Sequence, residues 1–303
     1  MRALSYLQAM VIGLLQGVTE MFPISSLGHS VLVPAWIGGS WAAIAHSESK
    51  ESPYLAFVVV LHVATALALL VFFWREWVQI IRGLFRSIAR RRIETVYERM
   101  AWLLVIATIP AGIIGLAFEH VFRTLFAKPL AAAIFLTING CVLLAGERLR
   151  KRSASARDES TEEIDHRNSA EVDQGVVATI RPVDAGVIGV AQVLALLAGF
   201  SRSGVTMVAG LLRGLDHEQA VRFAFLLATP VIFAAGLLKI PDFTGHLGNG
   251  IRDQALAGAA VAFVAALITT KFLTKYFERT SRRLTPFGIY CLAFGAISIV
   301  RFA

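Results

Sequence analysis

Polar residues that an apolar chain keeps only for a reason occur twice here in one pattern. The first copy runs from Gly13 to His29 as Gly-Leu-Leu-Gln-Gly-Val-Thr-Glu-Met-Phe-Pro-Ile-Ser-Ser-Leu-Gly-His. The second runs from Gly189 to Val205 as Gly-Val-Ala-Gln-Val-Leu-Ala-Leu-Leu-Ala-Gly-Phe-Ser-Arg-Ser-Gly-Val. Laid over each other without a gap, they pair Gly13 with Gly189, Gln16 with Gln192, Ser25 with Ser201 and Gly28 with Gly204. Each is an apolar run broken by Pro or Gly and followed by a serine-rich turn carrying ionisable or basic groups. In membrane proteins, paired interruptions of this kind mark broken helices around a site near the bilayer midplane.

The surrounding sequence says that the solvent is lipid. Hydrophobic residues make up 56% of the chain and charged residues only 17%, outside the range of a soluble domain. A bilayer span needs about 20 mostly apolar residues. Candidate windows are Tyr54 to Phe73, Ala101 to Phe122, Ala131 to Gly146, Ala220 to Leu238, Ala255 to Phe272 and Phe287 to Val300. The stretch from Ala3 to Val33 is also apolar, but Glu20, Pro23 and a Ser-Ser pair make it a broken segment instead of a simple span. With Arg2 as its one early basic residue and no cleavage site following, it does not read as a cleavable signal peptide. Cys141 and Cys291 both fall in expected spans and read as buried small apolar residues, with no disulfide framework or metal cluster.

The net charge of +8 is mostly topology. Seven basic residues lie between Arg75 and Arg99, seven between Arg148 and Arg181, and five between Lys271 and Arg283, together 19 of the 29. By the positive-inside rule these three connections are cytoplasmic, and nucleic acid is excluded as a partner. The spans then run alternately, and each broken segment must enter and leave on one side, the first from outside and the second from the cytoplasm. The expected fold is an all-α polytopic membrane protein with six transmembrane helices and two opposed re-entrant broken-helix hairpins in an inverted repeat. It is one integral membrane domain over 1–303, with halves of about 1–147 and 186–303. The joining stretch 148–185 mixes both charge signs without apolar periodicity and reads as a disordered cytoplasmic loop.

The hairpin tips carry the chemistry. Gln16 and Glu20 share a helix face. After Pro23, Ser25 and Ser26 stand where a second half-helix begins, Ser25 in the cap position, and His29 follows Ser26 by three, placing its imidazole on the side of the Ser26 hydroxyl. In the second copy Gly199 breaks the helix, and Ser201, Arg202, Ser203 and Thr206 open the next one. Two helix N-termini converging with a guanidinium make a site for a phosphate-bearing ligand. Glu20 would repel such a ligand unless a proton or a divalent cation, magnesium or calcium, lay between them. The serines by themselves are ordinary caps. Intramembrane charges such as Glu20 and Arg202 each cost about 2.5 to 3.5 kcal/mol even on a lenient scale and so point to function. Elsewhere, His62 is expected to line the cavity or bond a backbone carbonyl, and His46, His120, His166, His217 and His246 to be solvated. Asp216 with Gln219 reads as a capping box and Glu218 with Arg222 as an ion pair one turn apart.

Gln16-Gly-Val-Thr-Glu20, followed by Pro23-Ile-Ser-Ser-Leu-Gly-His29 and by Gly199-Phe-Ser-Arg-Ser-Gly-Val-Thr206, resembles the undecaprenyl-pyrophosphate phosphatase family, the bacitracin-resistance proteins. The likeness extends over essentially the whole chain. It implies a multi-pass enzyme of the bacterial inner membrane, opening to the periplasm, that converts undecaprenyl diphosphate to the monophosphate carrier of peptidoglycan synthesis. Carried over by position, Gln16 and Glu20 fall in the motif thought to hold a divalent cation, and Ser26 and His29 match the proposed nucleophile and its acid/base partner. Ser25, Ser201, Arg202, Ser203 and Thr206 would grip the diphosphate. Four departures stand out: Gln16 replaces a carboxylate, Ala198 replaces a proline, Leu27 replaces a common threonine, and the joining loop is longer than usual. The residues fit attack by Ser26 with His29 as base, and equally attack by water with His29 as base. The partners implied are the lipid diphosphate and the bilayer, with a second copy of the chain as a candidate. The rival from another class is a carrier that flips a polyprenyl phosphate, since inverted repeats with midplane half-helices are also a transporter design.

Overall fold

The computed structural model describes residues 4–45, 53–118, 128–155, 169–245, 248–278 and 283–303. Its described residues are helical or in short connections, with no strand among them. In chain order the helices are α1 (Tyr6–Met21), α2 (Ser26–Ile37), α3 (Gly39–Ala45), α4 (Pro53–Phe72), α5 (Trp74–Arg90), α6 (Val96–Ala117) and α7 (Pro129–Ser155). They continue as α8 (Ser169–Thr179), α9 (Pro182–Gln192), a 3-10 turn (Val193–Leu196), α10 (Arg202–Leu212), α11 (His217–Thr244), α12 (Arg252–Phe277) and α13 (Thr285–Phe302). Six of these, α4, α6, α7, α11, α12 and α13, contain stretches long and apolar enough to cross a bilayer. Each sequence window falls inside one of them, apart from the last residue of the first, Phe73, which lies in the turn after α4, and the end of the second, which runs into residues outside the described set.

The first hairpin is α1 and α2. A capping box opens α1, with Ser5 Oγ accepting from Gln8 N–H at 3.2 Å and Gln8 Oε1 from Ser5 N–H at 3.0 Å. Pro23 cannot continue the helix, and Ser25, at φ 71°, turns the chain into α2. The second hairpin is α9, its 3-10 turn, and α10. Gly199 makes that break at φ +116°, a left-handed conformation that favours glycine. With Ala198 in the proline's place, this single residue carries the turn. A Cβ there would also lie 2.5 Å from Ala132 O.

The repeated Gly13 and Gly189 do equivalent packing work. A Cβ on Gly13 would stand 2.2 Å from Gly258 O on α12, and one on Gly189 would stand 2.4 Å from Ala107 O on α6. Small residues let helix backbones approach where lipid gives no hydrophobic drive for association. Lipid-facing side chains such as Ile109, Ile113 and Leu116 on α6 remain exposed. Cys291 is buried, as expected, but Cys141 is exposed, because its face of α7 points away from the bundle.

Two connections expected as loops contain helices among their described residues. Helix α5 has three faces: Trp77, Ile80, Gly83, Leu84 and Ser87 against the bundle, Trp74, Ile81, Phe85 and Ile88 exposed, and Arg75, Arg82, Arg86 and Arg90 exposed beyond them. An apolar face beside an arginine face is the pattern of a helix lying along a membrane surface. The joining stretch is corrected at its two ends, while its residues 156–168 lie outside the described residues. Helix α7 continues to Ser155, and α8 packs Val172, Val176 and Val177 into the core with Ile180 just beyond it. The chain then bends by 97° into α9. Asp173 within α8 is buried and takes two bonds from Arg222, at 2.5 and 3.0 Å, and Arg222 also reaches Glu76 at 3.0 Å. Arg222 therefore turns to α8 and α5 instead of to Glu218, while the Asp216–Gln219 capping box forms as expected. His217 is not solvated: it bonds Glu147 at 2.6 Å and stacks on Phe277. His46, His120, His166 and His246 lie outside the described residues.

Candidate active site

The two hairpin tips meet, and backbone groups hold them together. Ser25 Oγ caps α2 by accepting from Gly28 N–H at 3.1 Å and also accepts from Gly199 N–H of the opposite tip at 3.2 Å. Its repeat partner Ser201 caps α10 through Gly204 N–H at 3.2 Å. Ser203 Oγ donates to Phe22 O at 3.3 Å, across the junction. A further clamp comes from a residue that neither motif contains. Asn139 on α7, 0% exposed, donates to Pro23 O at 3.1 Å and accepts from Ser201 N–H at 3.0 Å, touching both tips with one carboxamide. A lone Asn within an apolar span is a readable signal that the sequence analysis missed, since intramembrane polar groups seek partners.

At the centre of the junction sits Glu20. Its Oε1 pairs with Arg202 Nη2, joining the two halves of the chain. Its Oε2 accepts from Ser26 Oγ and from Gln16 Nε2 at 3.0 Å, and His62 Nε2 approaches it to 3.3 Å. His62 Nδ1 is anchored on Val58 O at 2.8 Å, so both sequence expectations for this histidine hold together. Arg202 leaves Nη1 buried without a partner. The sequence thus brings Gln16, Glu20, Ser26 and Arg202 into one cluster.

His29 stands apart from it. Its Nδ1 donates to Ser25 O at 2.7 Å, which leaves Nε2 to accept from the Tyr290 hydroxyl at 2.7 Å. The ring lies between Tyr290 and Phe294 at centroid distances of 5.7 and 5.4 Å. The expected Ser26–His29 pair is therefore not formed. Spacing of three puts both on one side of α2, but Ser26 lies at its first turn and turns to the charged carboxylate, the stronger acceptor. Thr206 is likewise engaged within its own helix, donating to Arg202 O at 2.7 Å and Ser203 O at 3.1 Å. Of the five residues expected to grip a diphosphate, Ser201 and Arg202 line the cavity, while Ser25, Ser203 and Thr206 are committed to backbone groups.

The cavity has a volume of about 240 Å³. Its polar end is Glu20, Ser26, His62, Gln192, Ser201 and Arg202. Its walls are apolar, from Leu55, Val58 and Val59 on α4, Ala111 on α6, and Val231, Ile232 and Ala235 on α11. A hydroxyl bonded to a carboxylate beside a guanidinium with a free donor suits nucleophilic chemistry on an anion, and the walls suit a lipid chain.

Known proteins resemble this chain over its whole length. Residues 9–297 match the family described as bacitracin resistance protein BacA. A Frankia alni protein named undecaprenyl-diphosphatase 2 is 57% identical, covering 100% of this chain and 99% of the relative. An undecaprenyl-diphosphatase of Mycolicibacterium paratuberculosis is 55% identical over 98% of this chain and 97% of its own. One from Chromobacterium violaceum, named undecaprenyl-diphosphatase 2, is 42% identical over 97% and 98%.

Proposed function

This chain belongs to the bacitracin resistance protein family, and from that premise we propose that the Glu20–Ser26–Arg202 cavity is its active site. The protein is an undecaprenyl-diphosphate phosphatase: it hydrolyses the terminal phosphoric anhydride of the lipid diphosphate, giving the monophosphate carrier and inorganic phosphate. The observation that carries the site is the Ser26 hydroxyl bonded to the Glu20 carboxylate beside the unpartnered Nη1 of Arg202.

The residues divide the work as follows. Arg202 Nη1 takes phosphate oxygens, and the chain of the lipid lies against the apolar wall of α4 and α11. Ser26 Oγ attacks the terminal phosphorus while Glu20 Oε2 accepts its proton, and the bond to the bridging oxygen breaks to release undecaprenyl phosphate. Water then displaces the serine oxygen from the phosphoserine, which returns Ser26 and frees phosphate. Direct attack by water with His29 as base finds less support, since His29 bonds Ser25 and Tyr290 and does not line the cavity. His29 instead positions the first turn of α2.

A divalent cation fits this donor set in part. No group of three His, Cys, Asp or Glu side chains suited to a metal occurs among the described residues. Gln16 Oε1 is, however, buried and without a partner next to Glu20. Gln16 and Glu20 would hold magnesium or calcium, with substrate oxygens and water completing the shell. Such an ion would offset charge on the phosphate oxygens.

The cavity opens to the periplasm in this reading, and the membrane is the bacterial inner membrane. Support comes from its lining: Leu55 to His62 on α4, Ala111 on α6 and Val231 to Gly236 on α11 all lie in the halves of their spans remote from the basic connections. A carrier would have no use for the Ser26–Glu20 pair. The test is phosphate release from undecaprenyl diphosphate by the purified protein in detergent micelles, where no second compartment exists. Release is expected, and its absence would sink the reading.

A further inference from the structure

The inverted repeat is chemically lopsided at one position. Gln16 and Gln192 are equivalent, and both are buried, at 0% and 2% exposed. Gln16 donates to Glu20 one turn further along α1. One turn beyond Gln192, where the repeat would place a carboxylate, stands Leu196. The second glutamine has therefore lost the partner that the first one has. Both Nε2 and Oε1 of Gln192 are buried with no hydrogen-bond partner, yet the residue lines the same cavity as Glu20, Ser26 and Arg202.

Buried carboxamides are almost always bonded, because an unmade bond forfeits the hydration the group had in the unfolded chain. A methionine or leucine would fill this place without that cost. The carboxamide is accounted for if its partner arrives with the substrate. We infer that Gln192 is a substrate-binding residue, its Nε2 donating to a non-bridging oxygen of the lipid diphosphate. The inference rests on reading the cavity as the diphosphatase site. It completes a division of labour between equivalent positions: Gln16 fixes the carboxylate of the first hairpin, and Gln192 supplies the second hairpin with a neutral donor beside the charged one of Arg202. A neutral donor adds direction without more positive charge, so the monophosphate product is not held by further Coulomb attraction.

The test uses the full chain in detergent micelles. Phosphate release by the wild type is measured first, and its absence would defeat the functional reading before this one is reached. Gln192→Met keeps length and removes both polar atoms. It is expected to raise KM about ten- to a hundredfold, the worth of one hydrogen bond to a charged group. The substrate-free Tm should stay level or rise, because a buried unmet group is gone. A methylene-bridged, non-hydrolysable prenyl diphosphonate should raise the Tm of this variant less than that of wild type. Gln192→Glu, isosteric but anionic, should raise KM further. The proposal is overturned if Gln192→Met keeps both KM and the analogue-induced Tm rise within about twofold of wild type. It is equally overturned if the substrate-free Tm falls, which would reveal a partner inside the protein, or if the loss is confined to kcat with KM unchanged.

Discussion

Ser26 and His29 separate under mutation if the geometry is right. Ser26→Ala removes the attacking oxygen and should lower kcat by several orders of magnitude, as removal of a nucleophile does, while binding of the lipid diphosphate persists. His29→Gln should lower thermal stability, since it strips a ring packed between Tyr290 and Phe294, yet leave the pH profile of the residual activity unchanged. A lost or shifted limb in that profile would restore the histidine as the base. Arg202→Lys keeps the charge but replaces a planar fork with a point charge, so kcat/KM should fall about ten- to a hundredfold. Near-normal turnover would mean that the arginine only balances Glu20. The residue types of this cluster were readable in the sequence because a charge inside an apolar segment is costly and persists where it serves a site. Their partners were not, because Glu20 and Arg202 bond across the two halves of the chain and spacing along one helix says nothing about the other. Spacing of three between Ser26 and His29 even misled, since a helix face is broad enough for its side chains to diverge.

At the scale of elements, the spans and the two breaks were legible from length, hydropathy, Pro23 and Gly199. What periodicity within each apolar run could not give was the presence of α5 and α8 in the basic connections. Helix α5 hides behind its four arginines, Arg75, Arg82, Arg86 and Arg90, and α8 looks like a solvated charged stretch because its one buried charge, Asp173, is neutralised by Arg222 from α11. That pairing ties the joining stretch to a membrane span. Asp173→Ala would leave Arg222 with Glu76 alone, and breaking a buried pair in this way costs about 3 kcal/mol or more. The expected outcome is a clear fall of Tm in micelles, with activity per folded molecule retained. An unchanged Tm would show that α8 is only loosely attached.

Over the whole molecule, the inverted repeat gives two equivalent tips unequal tasks. Ser25 and Ser201 keep the same capping role in both. Position by position, however, Glu20 faces Leu196, Ser26 faces Arg202 and His29 faces Val205. In the proposed mechanism the first hairpin provides the nucleophile and its base and the second provides the guanidinium, while Asn139 holds the two tips at contact. That proposal requires two successive displacements at one phosphorus, the first by Ser26 and the second by water. The most direct test is the stereochemical course at the terminal phosphorus, followed with a substrate made chiral there by oxygen isotopes and sulfur. Two in-line displacements give net retention of configuration, which is the predicted result. Inversion would mean a single attack by water and would contradict the assignment of Ser26 as the nucleophile.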